Sequence, residues 1–191
     1  MRLVLASSSP YRRALLSRLG VPFETAAPNV DESPLTGEVP ATTALRLALE
    51  KAAAIAPRFA DAFIIGSDQV ADLDGYPLGK PVTRENTLRQ LRLCSGRTVD
   101  FHTGLCLLDA ATGDTAHATA LNRVRFRRFS DDDIQRYLTR EQPYDCTGGA
   151  KADGLGIVLI EGFEGNDPNA LIGLPLILLA DMLRKVGFSL P

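Results

Sequence analysis

The spacing of apolar residues along the chain changes several times, and each change marks an element. Arg2 to Ala6 (RLVLA) is a short apolar run closed by Ser7, Ser8 and Ser9, which predicts a buried strand. Ser9 then offers an N-cap, Pro10 suits the first helical position, Leu15, Leu16 and Leu19 form a stripe, and Gly20 ends it. The chain therefore opens as strand, serine loop, helix. Phe23 to Ala27 reads as a second strand and Asn29 to Pro40 as a loop rich in Asp, Ser, Gly and Pro. Ala41 to Ala56 predicts a helix with Leu45, Ala48, Leu49, Ala52 and Ala56 on one face, Lys51 on its flank and Pro57 as its stop.

Ala62 to Gly66 (AFIIG) is a further buried strand running into Ser67, Asp68 and Gln69, and Asp74-Gly75 offers a hairpin turn soon after. Thr83 to Leu93 has helical periodicity up to Ser95-Gly96. Thr98 to Leu108 and Thr115 to Phe126 suit strands joined around Thr112-Gly113. Ser130 followed by three aspartates is a helix start, because a capping hydroxyl and acids in the first turn satisfy its free N–H groups. Gly156 to Glu161 reads as a strand and Pro175 to Val186 as a helix ended by Gly187. Helical crossovers near the start and an antiparallel pair in the middle make this α/β with a mixed sheet. The expected architecture is one elongated domain over residues 1–191, with two lobes around a cleft.

Composition narrows the classes without naming a function. The chain has 191 residues, 45% hydrophobic and 23% charged, close to soluble globular averages, which excludes disordered, collagenous and coiled-coil chains. A formal charge of −2 argues against a binder of nucleic acid polymers but not against a local anion pocket. Cys94, Cys106 and Cys146 are odd in number and widely spaced, so neither a disulfide framework nor a structural zinc is expected. The apolar run at the start is too short for a secretory signal, and Leu174 to Leu179 is far too short for a membrane span. The expectation is a reduced, cytoplasmic protein with no membrane partner.

The charges are segregated. Residues 1–20 hold Arg2, Arg12, Arg13 and Arg18 and no acid, whereas residues 21–38 and 60–75 hold acids and no Lys or Arg. Serine hydroxyls and free N–H groups at a helix N-terminus, backed by arginine, can receive phosphate oxygens. Arg12 lies on the inward stripe and Arg13 about 120° away from it, given ~100° per residue. Asp68, at the end of a buried strand, and the Asp31-Glu32 pair supply the hard oxygen ligands that Mg²⁺ or Mn²⁺ prefers, with substrate phosphates completing the shell. Arginine greatly outnumbers lysine, so Lys51, Lys80, Lys151 and Lys185 each merit attention; Lys80 sits in a tight Gly79-Lys80-Pro81 turn. Arg12, Lys51, Lys80, Glu32 and Asp68 together match a metal–triphosphate site. The same residues would also serve as caps and surface ion pairs, and spacing does not decide whether they converge.

SSSPYRR after the first strand, VDE at Val30 to Glu32, Lys51 in an alanine-rich helix, GSDQV at Gly66 to Val70 and LGKP at Leu78 to Pro81 resemble the Maf family of nucleotide pyrophosphatases. The resemblance continues through SGRTVDFHTG at Ser95 to Gly104 and GLPL at Gly173 to Leu176, so it covers essentially the whole chain. It implies an ITPase-like fold. It also implies metal-dependent cleavage of a nucleoside triphosphate between the α and β phosphates, with Asp68 as general base. Arg12, Lys51 and Lys80 would clamp phosphate oxygens, Ser8 would donate its hydroxyl, and Glu32 with Asp68 would hold the metal.

The resemblance further assigns base selection to Tyr11, Gln69 and Asp153. Members acting on dTTP and UTP are expected to carry Arg, Thr and Gln there, whereas the subfamily acting on 7-methyl-GTP carries Trp, Gln and Glu. This chain has an aromatic residue, an amide and an acid, and so resembles the second group. Tyrosine for tryptophan and aspartate for glutamate are its departures. The chemistry agrees: a methylated guanine is cationic and stacks on an electron-rich ring, and a carboxylate accepts from its N1–H and N2–H₂ groups. A pyrimidine triphosphate substrate, a nucleotide-binding regulator of septum formation and a homodimer remain open at this stage.

Overall fold

The computed structural model describes residues 1–190. Among them, seven strands form one mixed sheet in the order β2-β1-β3-β5-β6-β7, with β4 paired to β3. The strands are β1 (Arg2–Ala6), β2 (Glu24–Ala26), β3 (Ala62–Leu73), β4 (Tyr76–Leu78), β5 (Thr98–Asp109), β6 (Thr115–Phe126) and β7 (Ile160–Glu164). The helices are α1 (Pro10–Ser17), α2 (Pro40–Ile55), α3 (Arg84–Cys94), α4 (Asp131–Arg140) and α5 (Leu176–Lys185). None of the helices is long and apolar enough to cross a membrane.

Strand alternation assigns the layers. Leu3, Leu5, Ile65, Leu105 and Leu107 face α1 and α5, while their neighbours Val4, Ala6, Ile64, Cys106 and Leu108 face α2. At the far end of β3 and β5, Ala71, Leu73, Val99 and Phe101 pack with α3 and α4. Local signals hold where the sequence places them. Ser9 Oγ accepts the Arg12 N–H, Ser130 and Asp133 form a reciprocal capping box, and the β3–β4 turn has positive φ at both Asp74 and Gly75.

Three expectations are corrected. The strand expected at Gly156–Glu161 is a 3₁₀ helix over Leu155–Leu159 followed by β7, whose pairing with β6 starts only at Ile160. The third strand does not end at Gly66; it continues to Leu73 because β5 supplies a ladder from Phe63 to Asp72. Finally, the buried face of α2 is Ala44, Leu47, Ala48, Lys51, Ala52 and Ile55, which moves Lys51 from the flank to the inside. The small side of the helix wins because β3 and β5 present Gly66 and Gly104 to it. A Cβ at Gly66 would lie 1.9 Å from the Ala48 carbonyl oxygen, and one at Gly104 2.3 Å from that of Ala44.

Candidate active site

The partners of β3 change along its length, and the change opens a gap. On one side, Ala62 to Gly66 pair with β1 and Ala71 to Leu73 pair with β4, so Ser67, Asp68, Gln69 and Val70 have a strand neighbour only on the β5 side. β1 ends at Ala6, opposite Gly66, and the chain turns away through the serines into α1. A cleft of about 240 Å³ opens there, and Ser8, Tyr11, Arg12, Glu32, Lys51, Gln69, Lys80 and Asp153 all line it. Asp68 faces an adjoining chamber of about 300 Å³ that shares Arg12, Glu32, Gln69, Lys80 and Thr147 with the first. The expected phosphate, base, metal and catalytic residues thus border two adjoining chambers, whereas Arg13, Asp31 and Lys185 line neither.

At its centre Lys51 Nζ donates to Asp68 Oδ1 at 2.5 Å and pairs with Glu32 Oε1 at 2.7 Å. The lysine is brought there by the α2 face that Gly66 and Gly104 select. Arg12 enters from α1; its Nε donates to the Gly173 carbonyl at 2.8 Å and its Nη2 stands 4.0 Å from Asp68 Oδ1. Burial pushes the Arg12 guanidinium below its usual pKa, against the attraction of Asp68 and Glu32. A buried cation in that state gains from an incoming anion. Burial alone would raise the Glu32 carboxyl, yet the hydrogen bond from Lys51 and the charges of Lys51, Lys80 and Arg12 hold it below the usual range. Asp68 Oδ2 has no hydrogen-bond partner among the described residues, so one carboxylate oxygen faces the cations and the other is free.

The serine loop divides its work. Ser7 Oγ accepts the Ser9 N–H and Ser9 Oγ caps α1, which leaves the exposed Ser8 hydroxyl to the cleft. Arg13 is exposed and lies outside this cleft, as its position on α1 requires. Gln69 directs its amide nitrogen at the Ala170 and Leu171 carbonyls, at 2.8 and 3.1 Å, which fixes the amide orientation and turns its oxygen the other way.

The other end of the cleft differs in sign. Tyr11 donates its hydroxyl to Asp145, with Cys146 Sγ 3.9 Å from the same oxygen, and burial leads the causes that raise the phenol's pKa. Lys151 Nζ lies 5.7 Å from the Tyr11 ring centroid and is paired with Glu141 at 3.0 Å; Asp153 stands two residues further on. No motif in the sequence gives a role to Asp145, Cys146, Lys151 or the Gly173 carbonyl. Only Lys151 carried a signal, the scarcity of lysine. Arg12, Lys51 and Lys80 outnumber the acids at one end, and Asp145 and Asp153 outnumber Lys151 at the other, where Glu141 behind the wall pairs with that lysine.

A mixed α/β protein with a polarised cleft at an unpaired stretch of sheet is the class that fold and site define. The chain belongs to the Maf family: the family model described as Maf-like protein matches residues 2–186. It is 56% identical over 186 residues to a protein of Cupriavidus metallidurans named 7-methyl-GTP pyrophosphatase, covering 97% of this chain and 94% of that one. Proteins of the same name from Methylobacillus flagellatus and Aromatoleum aromaticum are 56% and 53% identical, covering 97% and 100% of this chain and 96% and 98% of theirs. A solved structure of the Staphylococcus aureus Ham1 protein shares 16% identity at a TM-score of 0.47 over 66% of this chain and 72% of that one, a likeness too slight to carry weight.

Proposed function

We propose that this cleft hydrolyses a nucleoside triphosphate between its α and β phosphates, releasing the monophosphate and pyrophosphate, with 7-methyl-GTP as the preferred substrate. The observation that carries this reading is the polarity of the cleft. A 7-methylguanine nucleotide has a cationic base and an anionic phosphate chain, and the cleft presents surplus acid at one end and surplus base at the other. The names of relatives above 50% identity point the same way.

Arg12, Lys51 and Lys80 receive the phosphate oxygens, with the Ser8 hydroxyl as a further donor, and neutralise charge that builds up on the phosphates as the anhydride breaks. The free Oδ2 of Asp68 orients the attacking water and takes its proton, while Oδ1 stays with the cations. Glu32 and Asp68 both reach the Lys51 ammonium, so their carboxylates stand close enough together to hold a divalent cation beside it that phosphate oxygens also share. Bound there, Mg²⁺ or Mn²⁺ would neutralise phosphate charge. At the base end the Tyr11 ring carries the base, Asp153 accepts from its N1–H and N2–H₂ groups, and Gln69 holds the Ala170–Ile172 wall while offering its amide oxygen.

Hydrolysis of 7-methyl-GTP, GTP, UTP, dTTP and CTP, with products separated chromatographically, tests both parts. Pyrophosphate and 7-methyl-GMP are expected; orthophosphate would overturn the cleavage site, and a clear pyrimidine preference would overturn the base. Asp68→Asn should lose pyrophosphate release while still binding nucleotide.

A further inference from the structure

Lys151 is fixed from both its main chain and its side chain. Its backbone N–H donates to Tyr137 Oη at 3.0 Å, and Tyr137 is buried on α4. Its Nζ donates to Glu141 Oε1 at 3.0 Å, while the other oxygen of Glu141 accepts the Leu155 N–H at 2.6 Å. A surface lysine would be solvated, but this side chain is only 28% exposed and its ammonium is held over the Tyr11 ring. The Glu141 hydrogen bond raises the pKa of the ammonium above the usual lysine value, so it remains a donor through neutral pH.

An ammonium has three N–H donors and Glu141 takes one, leaving donors for the cleft. Asp153 offers only acceptors. The polar edge of guanine presents an acceptor, O6, followed by the N1–H and N2–H₂ donors. Adenine presents an amino donor at position 6 instead. Donor at 151 and acceptor at 153 therefore complement guanine, and adenine would set an amino group against the ammonium.

We propose that Lys151 donates to the 6-oxo oxygen of the bound purine and, with Asp153 on the adjoining N–H groups, selects 6-oxo over 6-amino purines. This rests on the base reading above. A base that settles on Tyr11 moves the ammonium from the ring face to the rim of the base, and the ring exchanges one cation for another. Glu141 travels with the lysine as its counter-ion, so the methylated base does not meet an uncompensated charge.

The test compares kcat/KM for 7-methyl-GTP, GTP, inosine triphosphate and ATP in the wild type, Lys151→Met and Lys151→Arg. Lys151→Met is expected to lose at least tenfold on the three 6-oxo nucleotides with ATP unchanged or improved, and Lys151→Arg to keep most of the 6-oxo preference. ATP turnover reports folding, since a damaged scaffold loses it too. An equal loss on all four nucleotides, or an unchanged preference in Lys151→Met, overturns the role of Lys151 while leaving 7-methyl-GTP as substrate. A wild-type preference for pyrimidines overturns the base reading and this inference with it.

Discussion

Lys51 and Asp68 form a buried ion pair at 2.5 Å, with the two residues only 4% and 7% exposed. Removing one partner of such a pair strands the other charge, at a cost of about 3–5 kcal/mol. Lys51→Met should therefore destabilise by roughly 3 kcal/mol, somewhat softened by the nearby Arg12 guanidinium. Adding Asp68→Asn to it removes the stranded carboxylate. The double variant should recover much of that stability in chemical denaturation and none of the pyrophosphate release. Simple additivity of the two stability losses would show that the pair is not coupled.

Gly66 sets the distance between α2 and the sheet. Gly66→Ala drives a methyl group into the Ala48 carbonyl at 1.9 Å, and neither backbone can yield locally. The cost should be at the top of the overpacking range, about 3 kcal/mol or more. Because Lys51 lies one turn beyond Ala48, the folded fraction should also turn over more slowly. Gly75→Ala is the control: nothing lies within 4 Å of its added methyl, and φ of +85° limits the cost to about 1 kcal/mol with activity intact. Equal effects of the two variants would remove the packing argument.

The difference between local and distant causes explains what the sequence disclosed. Strand β1, the Ser9 cap, the Ser130 capping box and the Asp74-Gly75 turn are written in adjacent residues and were legible. Ser67-Asp68-Gln69 looks like a polar turn, but it is strand because β5 pairs with it and the single Ser67 hydroxyl proton is shared between the Gly104 and Gly173 carbonyls, at 2.8 and 3.0 Å. The face of α2 was ambiguous because the helix is apolar on more than one side, and only the glycines across from it decide. Motif residues named the cleft's cations and carboxylates. That Lys151 lies over Tyr11, 140 positions away in the chain, has no local signature.

Tyr11 makes two separable contacts, its ring toward the cleft and its hydroxyl toward Asp145. If the ring holds the methylated base, Tyr11→Phe should keep the preference for 7-methyl-GTP over GTP. Tyr11→Ala should lose it by the ~0.5–2 kcal/mol of a cation–π contact, at most about 30-fold in the kcat/KM ratio. The reverse pattern, with Phe as damaging as Ala, would assign the effect to the hydroxyl.

Glu38 and Arg46 staple the loop that carries Glu32. Arg46 donates to both Glu38 carboxylate oxygens, at 2.7 and 2.8 Å, and to the Ser33 carbonyl at 3.1 Å. The Arg46 hydrogen bonds lead the causes that lower the Glu38 pKa to about 2. An unfolded glutamate titrates near 4.3, so the unfolded chain binds more protons between about 2 and 4.3. The staple is at full strength above that window and is lost as pH falls through it. Denaturation of wild type and Glu38→Gln from pH 7 downward should show a constant gap above about pH 5 that closes towards pH 2. A gap that ignores pH would mean the carboxylate charge is irrelevant.

Val82 has φ of +65°, a conformation that a β-branched residue adopts only under strain. The Thr83 N–H reaches the Pro81 carbonyl at 2.7 Å, closing a three-residue turn around it, and its own N–H donates to Tyr144 at 2.9 Å. Its side chain is 74% exposed, so packing does not repay the strain. Lys80 lies two residues earlier, which places the strained turn where it fixes a cation at the cleft. Val82→Gly should therefore stabilise the fold by about 1 kcal/mol, some 2–4 °C in Tm for a chain of this size. It should also raise KM for the triphosphate, because the relaxed loop holds Lys80 less firmly. A lower Tm would show that the turn is not strained, and an unchanged KM that the strain does not serve Lys80.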